Sequence, residues 1–332
     1  MKKILLLTTG GTIVSLHTKD GLVPSNEEHD LLYYLGSMKD DYAITIDNIF
    51  NLDSTNIQPE EWVIVAKKID QEKNNYDAIV ITHGTDTMAY TSSVLSYMLL
   101  GIEIPVVITG SQLPIAHPLS DAIINLRCAF EMANTAIGGV FVAFNRHIIL
   151  GTRASKVRTS GFNAFESINV LPVGIINSDG LQINQWAVPK QTSYQLKESL
   201  DSHVFLLKLT PGTDPHILPA MANLGCHGIV IEAFGAGGIN FIRRDLVSML
   251  DQMQTLDIPI VVCSQCLYDR SDLNHYEVGR KALEKGVISA YDMTSESAVT
   301  KLMWGLGQLD QGELRIPMIR ELFEKNLVGE ME

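Results

Sequence analysis

The feature that most constrains the fold is a repeated pattern: a short apolar run ends in a polar turn, and a helical stretch follows. In the first half of the chain the pattern predicts strands at residues 4–7, 78–82, 104–108, 138–144 and 147–150 and helices at 88–100 and 119–133. The last two strands are predicted to form a hairpin across Asn145 and Arg146. Continuous apolar strands of this kind belong to a sheet that helices cover on both faces. The pattern therefore predicts an α/β fold with a largely parallel sheet.

A polar stretch in the second half of the chain interrupts this alternation. Residues 184–202 have few apolar runs and several Gln, Lys and Ser residues, which is typical of a linker. The alternation then resumes with predicted strands at 203–209, 228–234 and 258–263 and predicted helices at 243–254, 275–286 and 296–306. We therefore predict a large N-terminal domain at 1–183, mostly a parallel sheet flanked by helices, and a smaller C-terminal α/β domain at 203–332.

Composition and charge argue against several classes of partner. The 332 residues are 46% hydrophobic, enough for a sizeable core, and carry a formal net charge of −13. That charge opposes binding to nucleic acid and to anionic membrane, and no apolar run approaches the roughly 20 residues that span a bilayer. The apolar part of residues 1–7 is too short for a signal peptide and runs into a glycine turn. We therefore expect a cytoplasmic protein with no nucleic-acid or membrane partner.

The four cysteines do not have the pattern of a disulfide framework. Cys263 and Cys266 have the spacing of a redox motif, but they follow an apolar strand, and no second Cys or His pair at zinc spacing accompanies them in the sequence. We interpret both as ordinary thiols at the end of a strand.

Two of the predicted strand-end turns carry threonines. The segment Thr-Gly-Gly-Thr-Ile occupies residues 9–13, and Thr-His-Gly-Thr-Asp-Thr-Met occupies residues 82–88. Parallel strands bring their carboxyl ends to one edge of a sheet, where α/β proteins bind ligands. Threonine hydroxyls at that edge, one of them beside Asp86, indicate nucleophilic chemistry. The simpler alternatives are a plain glycine turn in the first segment and capping of the next helix by Asp86 or Thr87 in the second.

Two further segments supply complementary groups. Lys156 ends the segment at 151–156, and a desolvated lysine can act as a base for a hydroxyl because burial lowers its pKa. The segment Leu-Asp-Ser-Thr-Asn at 52–56 offers hydroxyl and amide groups suited to a carboxylate. A solvated lysine and a polar turn are the ordinary alternatives for these two segments.

Together these segments closely resemble the bacterial asparaginase/glutaminase family over nearly the whole chain, and most closely its short cytoplasmic branch, the type I enzymes. Residues 9–13 match the family's first active-site signature and residues 83–88 match the second. The segments that contain Ser54, Ser111 and Lys156 fall where the family's other site segments fall.

The resemblance implies hydrolysis of the side-chain amide of L-asparagine, with L-glutamine as a weaker substrate and with no metal or organic cofactor. Thr12 would be the nucleophile that forms an acyl-enzyme and releases ammonia. Thr85, Asp86 and Lys156 would form a second group in which Lys156 takes the proton of Thr85 and helps to activate water. Family accounts differ over which threonine attacks first, and the sequence leaves that order open.

The resemblance also implies a site for a zwitterionic amino acid. The α-carboxylate would lie against Ser54 and Thr55, the α-ammonium would bind Asp86, and Ser111 would contact the substrate. The backbone N–H of Thr85 would help to form an oxyanion hole. Asn240 would reach the site from a neighbouring subunit, because family members form homodimers that often pair into homotetramers.

Two positions depart from the family pattern. The predicted lid at residues 15–24 lacks the tyrosine that usually hydrogen-bonds the nucleophile, and Leu22 stands about where that tyrosine is expected. Glu232 stands where some cytoplasmic members have an arginine that binds an activating asparagine. We therefore expect this chain to lack that allosteric response or to use a different one.

Two alternative functions share the same motifs. One is the ammonia-supplying subunit of a tRNA-dependent amidotransferase, which carries an added N-terminal domain, whereas here the first signature begins at Thr9. The other is a non-catalytic amino-acid sensor on the same fold, which the missing lid tyrosine would fit. Because all of the hydroxyl, carboxylate and lysine elements are present, we prefer the hydrolase.

Overall fold

The chain divides into two compact units, Met1–Glu198 and Ser199–Glu332. The computed structural model describes residues 1–18, 21–24, 31, 33–34, 36 and 38–332. In the predicted lid, Lys19 and Asp20 lie outside the described residues, and the backbone on either side forms an antiparallel pair of strands. The role of this segment as a lid stays a prediction.

The first unit alternates strands and helices along much of its length. Its described strands are β1 Lys2–Gly10, β2 Ser15–Thr18, β3 Gly21–Pro24, β4 Tyr42–Leu52, β5 Ala78–Thr82, β6 Leu99–Leu100, β7 Pro105–Thr109, β8 Gly139–Phe144, β9 His147–Leu150, β10 Ala154–Lys156, β11 Phe165–Ser167, β12 Gly174–Asn177, β13 Gly180–Ile183 and β14 Gln195–Leu196. Its described α-helices are α1 Met38–Asp41, α2 Pro59–Glu72, α3 Met88–Met98 and α4 Ala122–Ala133. Short 3₁₀ turns occupy Thr12–Val14, Ser54–Asn56 and Gln185–Ala187.

An eight-stranded sheet in the order β13-β12-β9-β8-β7-β5-β1-β4 forms the centre of this unit. The strands from β4 to β8 in that order are parallel, and β9, β12 and β13 extend the sheet in antiparallel fashion. The central strands β5 and β7 are buried along their whole length, as their continuous apolar sequences predict. The predicted fold class is confirmed, and the parallel arrangement brings the carboxyl ends of β4, β1, β5 and β7 to one edge.

The hairpin predicted across Asn145 and Arg146 is present between β8 and β9. Both turn residues have positive φ, 47° and 63°. Two consecutive left-handed residues give the turn a twist that matches that of the flanking strands. This twist lets the sheet change from parallel to antiparallel pairing over two residues.

Helix α4 begins at Ala122, three residues later than the pattern predicts. The reason lies in Asp121, whose carboxylate accepts hydrogen bonds from the backbone N–H groups of Gln112 and Leu113 and from the side-chain amide of Asn125. The Asp121 carbonyl accepts the first helical hydrogen bond, from the N–H of Asn125, so Asp121 is the residue before the helix and the apolar Leu119 belongs to the loop.

The second unit has its own four-stranded parallel sheet. Its strands are β15 Val204–Lys208, β16 Gly228–Ala233, β17 Ile260–Ser264 and β18 Ile288–Ser289, in that order across the sheet. Its described α-helices are α5 Ile217–Asn223, α6 Val247–Thr255, α7 Glu277–Glu284, α8 Ser295–Leu306 and α9 Arg315–Phe323. A separate hydrophobic cluster that includes Ile229, Leu250 and Val262 fills the space between this sheet and its helices.

The residues that the sequence assigned to a linker are partly regular. Strand β14 lies within residues 184–202 and pairs with β6 of the first unit. The predicted domain boundaries stay a prediction. Among the described residues, no helix combines the length and the apolar character that a membrane crossing requires.

Candidate active site

Three turns of the first unit contact one another through glycines at the carboxyl edge of the large sheet. Gly11 follows β1 with φ +84°, and a Cβ there would lie 2.5 Å from the backbone nitrogen of Gly84. A Cβ on Gly84, which follows β5, would in turn lie 2.6 Å from Oγ of Ser54, just after β4. Only glycine fits so close a backbone approach. As a result, Thr12, Thr85 and Ser54 lie in or directly after turns that touch.

A threonine, a lysine and an aspartate are joined by short hydrogen bonds at this edge. The ammonium of Lys156 donates to Oγ1 of Thr85 at 2.8 Å and to Oδ1 of Asp86 at 2.6 Å. The side chain of Lys156 is 16% exposed and that of Asp86 is 56% exposed. The lysine is thus sheltered between two partners, while the carboxylate keeps a face open to a ligand.

Lys156 is held in place by the short hairpin of β10 and β11. It pairs with Phe165 across the hairpin, and Phe165 is buried with its ring centroid 5.0 Å from that of Phe144. The aromatic contact fixes the hairpin against β8. It therefore limits the positions from which the long lysine side chain can reach Thr85.

Gln112 is a neighbour of Thr85 that we did not predict. The Thr85 hydroxyl donates to Oε1 of Gln112 at 3.3 Å, and Nε2 of Gln112 donates to the carbonyls of Thr159 at 3.0 Å and Gly161 at 3.2 Å. These contacts orient the amide so that its oxygen faces Thr85. Its position in the turn after β7, the strand next to β5, could have indicated this contact. From the same turn we predicted Ser111 instead.

The three predicted serine and threonine contacts have different environments. Ser54 is buried, and its Oγ accepts a hydrogen bond from the backbone N–H of Asp86 at 3.2 Å. Thr55 is exposed, and its hydroxyl donates to Asp53 at 2.7 Å. Ser111 is buried, and its hydroxyl donates to the carbonyl of Leu113 at 2.6 Å. Ser54 is therefore linked directly to the Thr85–Asp86 turn, whereas Thr55 and Ser111 bond within their own turns.

A buried histidine network lies beneath this turn. Nδ1 of His83 lies 2.6 Å from the carbonyl oxygen of Gly84, and because that oxygen can only accept, Nδ1 carries the proton. Nε2 then accepts from the hydroxyl of Thr91 at 2.9 Å, and the Thr91 oxygen accepts from the indole N–H of Trp62 at 3.0 Å. Burial lowers the pKa of His83 to about 4, so the ring is neutral at pH 7. The network fixes the peptide that joins Gly84 to Thr85.

The remaining predicted residues lie in the second unit. Asn240 lines a cavity of about 370 Å³ together with Phe234 and Tyr276, and its side-chain amide donates to the carbonyl of Arg244. Its proposed contact with substrate stays a prediction. Nearby in the sequence, Glu232 accepts from the hydroxyl of Ser295 at 2.6 Å and pairs with Lys208 at 3.3 Å.

The fold and the threonine–lysine–aspartate cluster define an α/β enzyme with its polar groups at the carboxyl edge of a parallel sheet. Residues 3–189 match the model of the asparaginase N-terminal domain, and residues 203–323 match that of the glutaminase/asparaginase C-terminal domain. The chain therefore belongs to the asparaginase family, and the prediction of an enzyme of this class is confirmed.

Individual relatives agree with this assignment. An L-asparaginase from Thermococcus kodakarensis is 44% identical over 330 residues, with 99% of each chain covered, and the solved thermostable L-asparaginase from that organism superposes with a TM-score of 0.92 over 99% of each chain at 43% identity. L-asparaginase I from Vibrio cholerae is 28% identical, with a TM-score of 0.86 and coverage of 100% of this chain and 99% of that one.

A subunit of the glutamyl-tRNA(Gln) amidotransferase from Methanosphaera stadtmanae is also similar, at 36% identity over 345 residues, which covers all of this chain and 77% of that protein. Because the relatives include an archaeal enzyme, the predicted bacterial origin stays a prediction.

Proposed function

We propose that this chain hydrolyses the side-chain amide of L-asparagine to L-aspartate and ammonia through a threonine acyl-enzyme. The observation that carries the proposal is the bonded group of Thr85, Lys156 and Asp86 beside the turn that presents Thr12. A threonine hydroxyl is a weak nucleophile and needs a base or a hydrogen-bond network to activate it. This cluster supplies such a network next to a carboxylate that can bind an ammonium group.

The first half of the proposed reaction forms the acyl-enzyme. Oγ1 of Thr12 attacks the amide carbon, and its proton passes to the amide nitrogen. The tetrahedral oxyanion is stabilised by the backbone N–H of Thr85, whose peptide is fixed from below by His83. The C–N bond then breaks, ammonia leaves, and the aspartyl group is held as an ester on Thr12.

The second half returns the enzyme to its starting state. In the reacting form, the neutral amine of Lys156 accepts the proton of Thr85, and Thr85 in turn accepts a proton from the attacking water. The water oxygen adds to the ester carbon, and the C–O bond to Thr12 breaks. The proton that Lys156 took up then passes to Oγ1 of Thr12, so that Thr12 is a hydroxyl and Lys156 a neutral amine again. Before this step the Thr85 hydroxyl donates to Oε1 of Gln112, which holds it in position until its proton moves to Lys156.

The side chains proposed to bind substrate differ in whether they must first break a hydrogen bond within the protein. Asp86 offers an exposed carboxylate to the α-ammonium. The oxygen of Ser54 accepts from the Asp86 backbone and still has its own proton to donate to the α-carboxylate. Thr55 and Ser111 must first leave Asp53 and the Leu113 carbonyl. We therefore expect Ser54 to contribute more to affinity than Thr55 or Ser111.

The test is ammonia release by the purified chain with L-asparagine and L-glutamine over a wide concentration range. We expect turnover of L-asparagine that falls by at least about 10³-fold in Thr12→Ala, Thr85→Ala and Lys156→Met. The matched controls are Thr255→Ala and Lys285→Met, both in the second unit. Thr255 is exposed and its hydroxyl bonds within its own helix, and the ammonium of Lys285 pairs with Asp251 at 2.5 Å. Both controls should retain full activity.

Acyl-enzyme formation is tested separately by rapid quenching with labelled substrate followed by peptide mapping. A label on Thr12 supports the proposal. A label on Thr85 would assign the first attack to the other threonine, and full turnover in Thr12→Ala would overturn the role of Thr12. Binding of L-asparagine without ammonia release would favour the amino-acid sensor.

The similarity to the amidotransferase subunit supports one alternative, in which the ammonia is delivered to a partner protein. The two functions separate in a simple assay, because a free-standing hydrolase turns over without partner or tRNA. Ammonia release that requires both would favour the amidotransferase.

We further propose a cytoplasmic homo-oligomer that lacks activation by asparagine at a second site. The carboxylate of Glu232 cannot pair with the carboxylate of an effector, and it is already bonded to Ser295 and Lys208. We therefore expect a hyperbolic rate curve. A sigmoidal curve that becomes hyperbolic with an added asparagine analogue would contradict this expectation.

A further inference from the structure

A cluster of one aspartate and two histidines lies in the second unit, at the amino ends of β15 and β16. His203 immediately precedes β15 and His227 immediately precedes β16. The backbone N–H of His203 donates to Oδ1 of Asp201 at 2.9 Å, and the backbone N–H of His227 donates to the carbonyl of His203 at 2.7 Å. The backbone of all three residues is therefore fixed by the sheet and by this turn.

The side chains converge on a single carboxylate. Nδ1 of His203 lies 2.9 Å from Oδ1 of Asp201, and Nδ1 of His227 lies 2.6 Å from Oδ2. The ring centroids are 4.7 Å apart, and one potential ligand atom from each of the three residues lies within 4.8 Å of the others. The side chains of Asp201, His227 and His203 are 20%, 34% and 61% exposed, so the carboxylate is sheltered while the cluster stays open on the side of His203.

We propose that Asp201, His203 and His227 bind a divalent transition-metal ion of the zinc type. Two imidazole nitrogens and one carboxylate oxygen are ligands that Zn²⁺ accepts, with bonds of roughly 2.0–2.2 Å and the remaining position left to water. Neighbouring ligand atoms in such a site lie about 3–3.5 Å apart, so small shifts of the side chains bring them to that spacing. Each Nδ1 gives up its proton as the ring changes to the Nε2–H tautomer, which frees the nitrogen to bind the ion.

A second aspartate–histidine pair in the same unit shows what distinguishes this cluster. His216 donates its backbone N–H to Oδ1 of Asp214 at 3.0 Å, and its Nδ1 lies 2.8 Å from the same oxygen. In the described part of the chain no third metal-ligating side chain joins that pair. Among the described residues the Asp-x-His turn is thus found at Asp201 and at Asp214, and a second imidazole, that of His227 before β16, joins the turn at Asp201.

The experiment measures the affinity and stoichiometry of Zn²⁺ binding by isothermal titration calorimetry, with Zn²⁺ as the only ligand. All variants carry Cys266→Ser, which removes an exposed thiol that could bind the ion. We expect one saturable site per chain, weakened at least about tenfold in His227→Gln and in Asp201→Asn and unchanged in the matched control His216→Gln. Mg²⁺ should not compete, because imidazole favours zinc, copper and nickel over magnesium.

Binding that is absent from the parent chain, or equal in all of the variants, overturns the proposal. Should a variant fail to fold, X-ray absorption at the zinc edge of the parent chain with one equivalent of Zn²⁺ decides instead. Two imidazole ligands with oxygen scattering support the site, and a shell dominated by sulfur overturns it. Neither measurement depends on catalysis, so the result stands apart from that of the proposed function.

Discussion

At the scale of single residues, the buried histidine of the second signature has the clearest chemical consequence. His83 donates to the Gly84 carbonyl through Nδ1 and accepts from Thr91 through Nε2. The Gly84 carbonyl belongs to the same peptide as the N–H of Thr85, so the first of these bonds both orients that N–H and polarises it. The histidine thereby acts on the proposed oxyanion hole without touching the substrate.

We predict that His83→Asn and His83→Gln affect catalysis differently. The Asn amide can occupy the place of Nδ1 and keep the bond to Gly84, whereas the Gln amide reaches the place of Nε2 and keeps only the bond to Thr91. We expect kcat to fall by about 10²-fold more in the Gln variant, as for the loss of one oxyanion-hole donor, with little difference in KM. Steady-state kinetics measures this, and equal kcat values in the two folded variants would contradict it.

The same histidine predicts a pH dependence of stability. Its pKa is about 4 in the folded chain because burial disfavours the charged ring, against 6.5 for the free side chain. Between these two values the unfolded chain binds the extra proton, so the free energy of unfolding falls as pH falls, by about 1.4 kcal/mol per pH unit from this group. Urea unfolding at several pH values should show this slope in the parent chain and a shallower one in His83→Asn. Parallel slopes would mean that the ring is already protonated in the folded state.

Residue types alone could not reveal these roles. Thr12, Thr85, Asp86 and Lys156 could be selected from the sequence because their segments match family signatures. His83 contributes through Thr91, eight residues later, which in turn accepts from Trp62. Gln112 contributes through contacts with Thr85 and Thr159, which are 27 and 47 residues away. A partner of that kind follows from the packing of the sheet edge, and no spacing rule within one segment predicts it.

At the scale of elements, the strands and central helices could be predicted more accurately than the ends of the helices. The apolar runs of β5, β7 and β16 are short, continuous, rich in Val and Ile and bounded by turns, which is typical of buried strands. Helix α6 begins at Val247, four residues after the predicted start at residue 243, because Arg243 and Arg244 have positive φ. The surrounding loop imposes this left-handed backbone conformation on the two arginines, and arginine as a residue type does not predict it.

The contact between the turns after β4 and β5 yields a prediction at this scale. In Gly84→Ala the new methyl would lie 2.6 Å from Oγ and 2.7 Å from Cβ of Ser54, which we expect to destabilise the fold by about 1–3 kcal/mol. Ser54→Gly removes both atoms, so the double variant should recover part of the loss, with a coupling energy of at least about 0.5 kcal/mol. Denaturant unfolding of the four proteins gives this value. Strict additivity would show that the two turns move apart freely.

At the scale of the whole molecule, a buried ion pair joins the residues after α9 to helix α8 within the second unit. Lys301 of α8 and Glu330 are both fully buried with Nζ and Oε1 2.5 Å apart, and the ammonium also donates to the Lys325 carbonyl at 2.8 Å. The Glu330 carboxylate accepts from the backbone N–H groups of Leu327 and Val328. Burial lowers the pKa of Lys301, and the carboxylate opposes that effect.

Breaking this pair should be costly. We predict that Glu330→Gln lowers the free energy of unfolding by about 3–5 kcal/mol, because it leaves a buried ammonium without its counter-charge. The control is Glu277→Gln, which removes the partner of Lys281 in an exposed helical pair and should have little effect. Thermal and urea unfolding compare the two variants. Equal stability of both would mean that water reaches Lys301.

The separate sheet and core of the second unit predict independent folding. We expect residues 199–332, expressed alone, to show α/β circular dichroism and one cooperative unfolding transition, because the hydrophobic cluster around Ile229 and Leu250 lies entirely within them. Dye binding to exposed apolar surface combined with a broad transition would contradict this expectation and would show that the unit needs the rest of the chain.

The glycine contacts at the sheet edge also bear on how such enzymes can be recombined. Gly11, Gly84 and Ser54 are far apart in the gene, yet their turns are packed atom against atom. A crossover between codons 11 and 84 therefore combines turns from two parents in one protein. We expect such a chimaera to fold only where both parents have the same small side chains at these contacts. Crossovers after codon 198, where the first unit ends, leave all three turns and the pair of β6 and β14 with one parent, so libraries that shuffle this family are best joined there.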